Sequence, residues 1–221
     1  MKQYIKKIIP EFYLDYRHKK RVDALTLASY KSWREEKLAQ WIKDGKPLPP
    51  PHAVKQRVIA EYQSKYGINT LVETGTFHGE MIEAQKRTFK TLYSIELDYT
   101  LYSAAVKRFK YDRNIYLLLG DSGEKITDVI SVLENRAIFW LDGHYSGTYT
   151  ALGDLECPIL KELDGIFSGT FTNHILLIDD ARCFVGANSY PTPEELLERV
   201  KQYNPNYVLS IDSDIIRLEV K

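Results

Sequence analysis

Five times along this chain a short apolar run ends in an acid, and the stretches between the runs have helical spacing. Leu71-Val72 stops at Glu73, Leu92 to Ile95 at Glu96, Ile115 to Leu119 at Gly120-Asp121, Ala137 to Leu141 at Asp142, and His174 to Ile178 at Asp179-Asp180. Apolar runs of this length read as strands rather than helices. The intervening segments are long enough for crossover helices, so the strands should be parallel, in a sheet covered on both faces. The expected strands are 70–73, 92–96, 115–119, 137–142 and 174–178. The expected helices are 54–66, 79–89, 99–108, 123–134, 153–168 and 193–203, with Gly67 ending the first. Such a sheet binds ligands at the carboxyl ends of its strands, which is where the acids collect. The tail breaks the alternation: Tyr207 to Ile211 and Ile215 to Val220 are joined only by Asp212-Ser213-Asp214, too short for a helix, and should form an antiparallel hairpin.

The first turn carries the most chemistry. In Glu73-Thr74-Gly75-Thr76-Phe77-His78-Gly79, two glycines four apart let the backbone approach a ligand and let a helix begin with its free N–H groups exposed. A dinucleotide fingerprint needs a glycine two residues before Gly75, to seat a pyrophosphate. Here that position is Glu73, which would repel a pyrophosphate and suits a cation. The turn resembles the cofactor turn of class I S-adenosylmethionine (SAM) methyltransferases. That resemblance implies that Glu73, Thr74, Gly75, Thr76 and Gly79 meet the amino-acid end of SAM. Glu96, 21 positions after Gly75, would take the ribose hydroxyls, Asp121 and Ser122 the adenine, and Asp142 would border the cofactor. His78 reads as a helix-start or cofactor-edge contact. Five parallel strands closed by a hairpin likewise resemble the seven-stranded, Rossmann-like α/β sheet of that family.

A second constellation suggests the reaction. Strands four and five are neighbours in a doubly wound order, so Asp142 and the pair Asp179-Asp180 can converge. Three carboxylates placed together repel unless a cation neutralises them, and oxygen ligands of this kind suit Mg²⁺. The competing reading is structural: Asp179 or Asp180 caps the next segment or pairs with Arg182. The run Phe139-Trp140-Leu141-Asp142-Gly143-His144-Tyr145-Ser146-Gly147, together with Leu177-Ile178-Asp179-Asp180, is similar to the metal-dependent sugar O-methyltransferases of the macrocin and noviose type. The resemblance spans about residues 68 to 221. It implies that Asp142, Asp179 and Asp180 hold Mg²⁺ or another divalent cation such as Mn²⁺, that the metal holds two neighbouring sugar hydroxyls, and that His144 is the base. Histidine suits that role, because a metal-bound hydroxyl needs a base that works near neutral pH. Tyr145, Tyr149 and Arg182 are candidate substrate contacts. Phe184 and Tyr190 could also stack on a sugar, and Cys183 to Pro193 reads as a lid.

At 221 residues with 44% hydrophobic content, the chain can bury one substantial core. Gly45-Lys46-Pro47-Leu48-Pro49-Pro50-Pro51 interrupts it, which suggests a helical N-terminal extension (1–52) ahead of a SAM-dependent methyltransferase domain (53–221). Net charge is zero, yet Met1 to Arg57 holds 14 Lys and Arg against 6 Asp and Glu. The extension therefore suits an anionic glycan, a membrane surface or a second subunit, or is simply a solvated helical face. Met1 to Ile9 reads as a small amphipathic helix, too short for a signal-peptide core. Cys157 and Cys183, without CxxC spacing, read as reduced thiols of a cytoplasmic protein.

The expected activity is SAM- and Mg²⁺-dependent O-methylation of a saccharide or glycosylated molecule. Its rivals are methylation of a small vicinal diol or catechol, and a SAM-binding partner protein without turnover. Nucleic acid is not an expected partner, because the catalytic part is acidic and no Asn-Pro-Pro-Tyr-like or Pro-Cys motif follows strand four.

Overall fold

The computed structural model describes residues 31–143, 157–187 and 189–221. The chain divides into two compact units, Met1–Pro47 and Leu48–Lys221. Of the first, the described part is a helix over 31–43 (α1). It ends where Gly45 turns left-handed at φ 81° and the Trp41 indole donates to the Pro47 carbonyl at 2.8 Å. The expected helix at Met1–Ile9 lies outside the described residues.

The second unit holds one seven-stranded sheet in the order β3-β2-β1-β4-β5-β7-β6. Its strands are β1 (Thr70–Thr74), β2 (Thr91–Glu96), β3 (Ile115–Leu119), β4 (Ile138–Leu141), β5 (Ile175–Ile178), β6 (Tyr207–Asp212) and β7 (Ile215–Val220). The first five are mutually parallel. The tail forms the expected hairpin, in which β7 pairs antiparallel with both β5 and β6. The helices are α2 (His52–Tyr66), α3 (Glu80–Gln85), α4 (Tyr99–Phe109), α5 (Ser122–Ile130), α6 (Ile159–Ile166) and α7 (Pro193–Lys201).

Period-two alternation explains why both faces are covered. Leu71, Leu92, Ile138, Trp140, Ile175 and Leu177 join one core with Val58, Ile59 and Tyr62 of α2, Met81 and Ile82 of α3, and Phe109 of α4. Their sequence neighbours Val72, Ile95, Phe139, Leu141, Leu176 and Ile178 join a second core with α5, α6 and α7. Strands buried on both sides must be apolar throughout, and every residue of β4 and β5 is buried.

Three helices are clearly shorter than their spacing suggests: α6, expected over 153–168, begins at Ile159 behind Pro158 and stops at Ile166. α3 stops at Gln85, because Phe89 has to turn back into the core before β2 can start at Thr91. α5 stops at Ile130, where Ser131 Oγ donates back to the Asp128 carbonyl and Val132 N–H to that of Val129. The segment read as a lid is anchored. Phe184 is buried in the core against Tyr190, so it cannot stack on a substrate. Pro193 opens α7 behind a capping box made by Thr192 and Glu195.

Candidate active site

Parallel pairing aligns the strand ends, so register alone gathers the acids. Glu73 lies opposite Ser94 on one side and Trp140 on the other, Thr74 opposite Leu141, and Leu141 opposite Ile178. Glu73, Glu96, Asp142 and Asp179 therefore reach one edge from four adjacent strands.

The turn after β1 is built around positive φ. Gly75 sits at φ 83°, and a Cβ placed there would lie 2.6 Å from the Asp142 carbonyl oxygen, so only glycine lets β1 and β4 approach at this point. Gly79, at φ 72°, starts α3, and its missing Cβ leaves room for the Phe109 ring. The acids here are met by neutral donors. Ser94 Oγ donates to Glu73 at 2.6 Å, which leaves it to accept from Thr76 Oγ1 at 2.6 Å. Glu96 accepts the backbone N–H of Phe77 at 2.8 Å and of Asp98 at 2.9 Å. Those two bonds orient the Glu96 carboxylate and tie the turn to β2. Burial pushes the Glu73 carboxyl up to about 8; Asp142 and Glu96 add to the rise and the Ser94 hydrogen bond opposes it. At neutral pH Glu73 is thus largely protonated until a cation reaches it.

Asp121 caps the start of α5 by position only, its side chain bonding no N–H of the first turn, and Ser122 is buried beside β4. A Cβ on Gly143 would lie 3.1 Å from Thr74 Oγ1 and 3.2 Å from both Ser122 Oγ and Glu162 Oε1. The residues expected at the adenine and at the amino-acid end thus share one edge. Glu162, a buried acid on α6 in that group, was not distinguishable in the sequence from a solvated helical charge.

The β4–β5 end is organised by cations. Asp179 is fully buried, and Lys55 Nζ of α2 donates to its Oδ2. Asp179 Oδ1 accepts no hydrogen bond among the described residues. Burial raises the Asp179 carboxyl above the ordinary carboxylate range and Asp142 adds to this, while Lys55 opposes it. Burial pulls the Lys55 ammonium down, but Asp179, Asp142 and Asp180 outweigh it and hold Lys55 charged. Asp180, left-handed at φ 56°, lies 3.8 Å from Lys55 Nζ and 2.8 Å from Arg182 Nη1. Arg182 also holds the buried Asp214 of the β6–β7 turn through its guanidinium and its backbone N–H. The structural reading of the Asp-Asp pair is therefore partly realised: Asp180 does pair with Arg182, whose guanidinium is committed to two acids. Lys55 and Asp214 are neighbours of the Asp-Asp pair that sequence reasoning missed.

Among the described residues no three His, Cys, Asp or Glu side chains stand ready to hold a metal ion. The donor chemistry nevertheless fits a hard divalent cation. The groups gathered at this end are carboxylates, and one buried Asp179 oxygen has no donor among the described residues. His144, Tyr145 and Tyr149 lie outside the described residues. Both cysteines are free thiols. No described helix is long and apolar enough to cross a membrane.

No family model matches this sequence, and no curated protein matches it. Solved structures do. An O-methyltransferase from Bacillus cereus in complex with SAH is 10% identical with a TM-score of 0.53, over 86% of this chain and 91% of that one. A putative caffeoyl-CoA O-methyltransferase from Staphylococcus aureus is 10% identical with a TM-score of 0.52, over 90% of this chain and 99% of that one. The O-methyltransferase TomG from Streptomyces achromogenes, involved in tomaymycin synthesis and solved in complex with SAM, is 10% identical with a TM-score of 0.52, over 85% of this chain and 88% of that one. At these identities the likeness is one of fold: the sheet order and closing hairpin are those of class I methyltransferases.

Proposed function

We propose that this protein is a SAM-dependent O-methyltransferase that acts on a hydroxyl of a saccharide or glycosylated molecule, with Mg²⁺ or a similar divalent cation held by Asp142, Asp179 and Asp180. The observation that carries this reading is the continuous acidic edge, in which a glycine turn with neutral donors adjoins a cluster of carboxylates around the buried Asp179.

Each part of the edge has a task. Glu96, already oriented by two backbone N–H groups, offers its remaining lone pairs to vicinal ribose hydroxyls. Glu73 ionises as the ammonium end of SAM arrives, and Ser94 stabilises the charge. Gly75 and Gly79 keep the turn clear of side chains, and Asp121 and Ser122 face the adenine. A divalent ion bound at the Asp cluster would lower the pKa of an acceptor hydroxyl. His144 follows Asp142 by two positions and takes the proton from that hydroxyl, while Tyr145 and Tyr149 border the acceptor and Arg182 fixes the Asp180 carboxylate. The sulfonium is already activated, so the chain's remaining work is alignment and exclusion of water. The basic extension would hold an anionic glycan, a membrane surface or a second subunit, and the setting would be cytoplasmic.

A panel of saccharide acceptors incubated with methyl-labelled SAM tests the reading. It predicts label in a glycan fraction, lost in excess EDTA, with a His144→Ala rate lower by roughly 10²- to 10⁴-fold. Transfer undiminished by EDTA would remove the metal. Transfer confined to catechols would move the substrate class.

A further inference from the structure

Among the described residues two cations meet the Asp cluster, Lys55 and Arg182, and of these Lys55 is the one that can leave it. Arg182 is pinned by Asp180, by Asp214 and by a backbone N–H bond at 2.9 Å. Lys55 instead projects from the first helical turn of α2, whose Ala53, Val54, Val58 and Ile59 are buried and fix the backbone. Its four-carbon stem can swing the ammonium away without moving the helix. The Lys55 side chain retains 15% exposure, so an outward rotamer meets solvent, whereas Asp179 retains none.

Resting on the metal-dependent reading above, we propose that Lys55 is the resident counter-ion of the Asp cluster, and that its ammonium and a divalent cation compete for the Asp179 carboxylate. The same oxygen cannot serve both. Asp179 Oδ2 accepts from Lys55 Nζ, and an ammonium at hydrogen-bond distance from a carboxylate that also binds a doubly charged ion would be strongly repelled by it. A metal must therefore displace Lys55 to use both oxygens, including Oδ1, which accepts no hydrogen bond among the described residues. Without metal, Lys55 lets three closely placed acids coexist in the folded protein. It is a positioning residue: it holds the acids in place and sets how tightly they take metal.

Calorimetric titration of the full chain with Mn²⁺ alone, for wild type, Lys55→Met and Lys55→Arg, tests this. Removing a competing charge should tighten Mn²⁺ binding by on the order of tenfold or more in Lys55→Met, and Lys55→Arg should bind no tighter than wild type. Metal bound equally by wild type and Lys55→Met would overturn the competition and leave the metal site standing. Folded wild type and Lys55→Met that both ignore millimolar Mn²⁺ would overturn the metal reading as well. Should Lys55→Met not fold, lysine side-chain NMR of wild type decides. The protected Lys55 ammonium signal should vanish or move to the free-lysine position as Mg²⁺ saturates the protein, and a signal unchanged at saturation contradicts the proposal.

Discussion

At the β1–β2 end of the ligand-facing edge, Glu73 is buried among hydroxyls and held by Ser94, whereas two strands away the equally buried Asp179 is met by the ammonium of Lys55. Both acids end apolar strands of one parallel sheet, and burial raises the carboxyl of each. They differ in what opposes that rise. Neutral donors can orient a carboxyl while leaving it protonated at neutral pH, ready to ionise for a cationic ligand. A buried ammonium offsets part of the rise at Asp179 and occupies a place beside it. One edge thereby carries two kinds of surroundings for a buried acid, one of neutral donors and one with an ammonium.

Substitution at the cation-bearing end should have the largest effect. Asp179→Ala leaves the Lys55 ammonium without its closest acid, and breaking a buried pair of this kind should lower unfolding free energy by about 4 kcal/mol. Urea denaturation measures it, and a loss below about 1 kcal/mol would mean that Asp142 and Asp180 suffice to hold Lys55.

The corresponding change at the other end should have the opposite sign. Glu73 has a folded value of about 8 against an ordinary 4.5, so between those pH values the unfolded chain gives up a proton that the folded one keeps. Stability contributed by Glu73 therefore falls as pH rises through that window and is unaffected below it. Glu73→Gln, which can still accept from Ser94, should raise stability by on the order of 3 kcal/mol at pH 7 and by almost nothing at pH 4. Thermal unfolding across pH checks it. A variant destabilised equally at both pH values would show that Glu73 is ionised in the ligand-free protein.

Gly75 joins the two ends. Adding a Cβ at φ 83°, 2.6 Å from the Asp142 carbonyl oxygen, should cost about 2 kcal/mol and disturb Asp142 along with the turn. Crystallography of Gly75→Ala would show whether β4 shifts with β1. A shift confined to the turn would separate the two sites.

How much of this was legible depends on where the information sits. The strands and their terminal acids could be read, because a doubly buried parallel strand must be apolar and an acid at its end stands out. The neutral donors were partly legible: Thr76 is in the turn, but Ser94 looks like any polar residue within a strand until its pairing with Glu73 is known. Lys55 was not legible. It lies 124 positions from Asp179, on a helix rich in charged residues, and only packing brings the two together. Glu162 and Asp214 are hidden for the same reason, since a helix and a hairpin turn usually carry solvated acids. Phe184 misled because an aromatic in a glycine-flanked loop looks like a ligand contact, whereas here it plugs the core.

The central claim is that the β1–β2 end binds SAM through Glu96. Calorimetric titration with the demethylated product SAH, for wild type and Glu96→Ala, tests it directly. Wild type should bind, and loss of two charge-assisted hydrogen bonds to the ribose should weaken binding by roughly 2 to 4 kcal/mol. Equal affinities in the two proteins, or binding of NAD in place of SAH, would contradict the account.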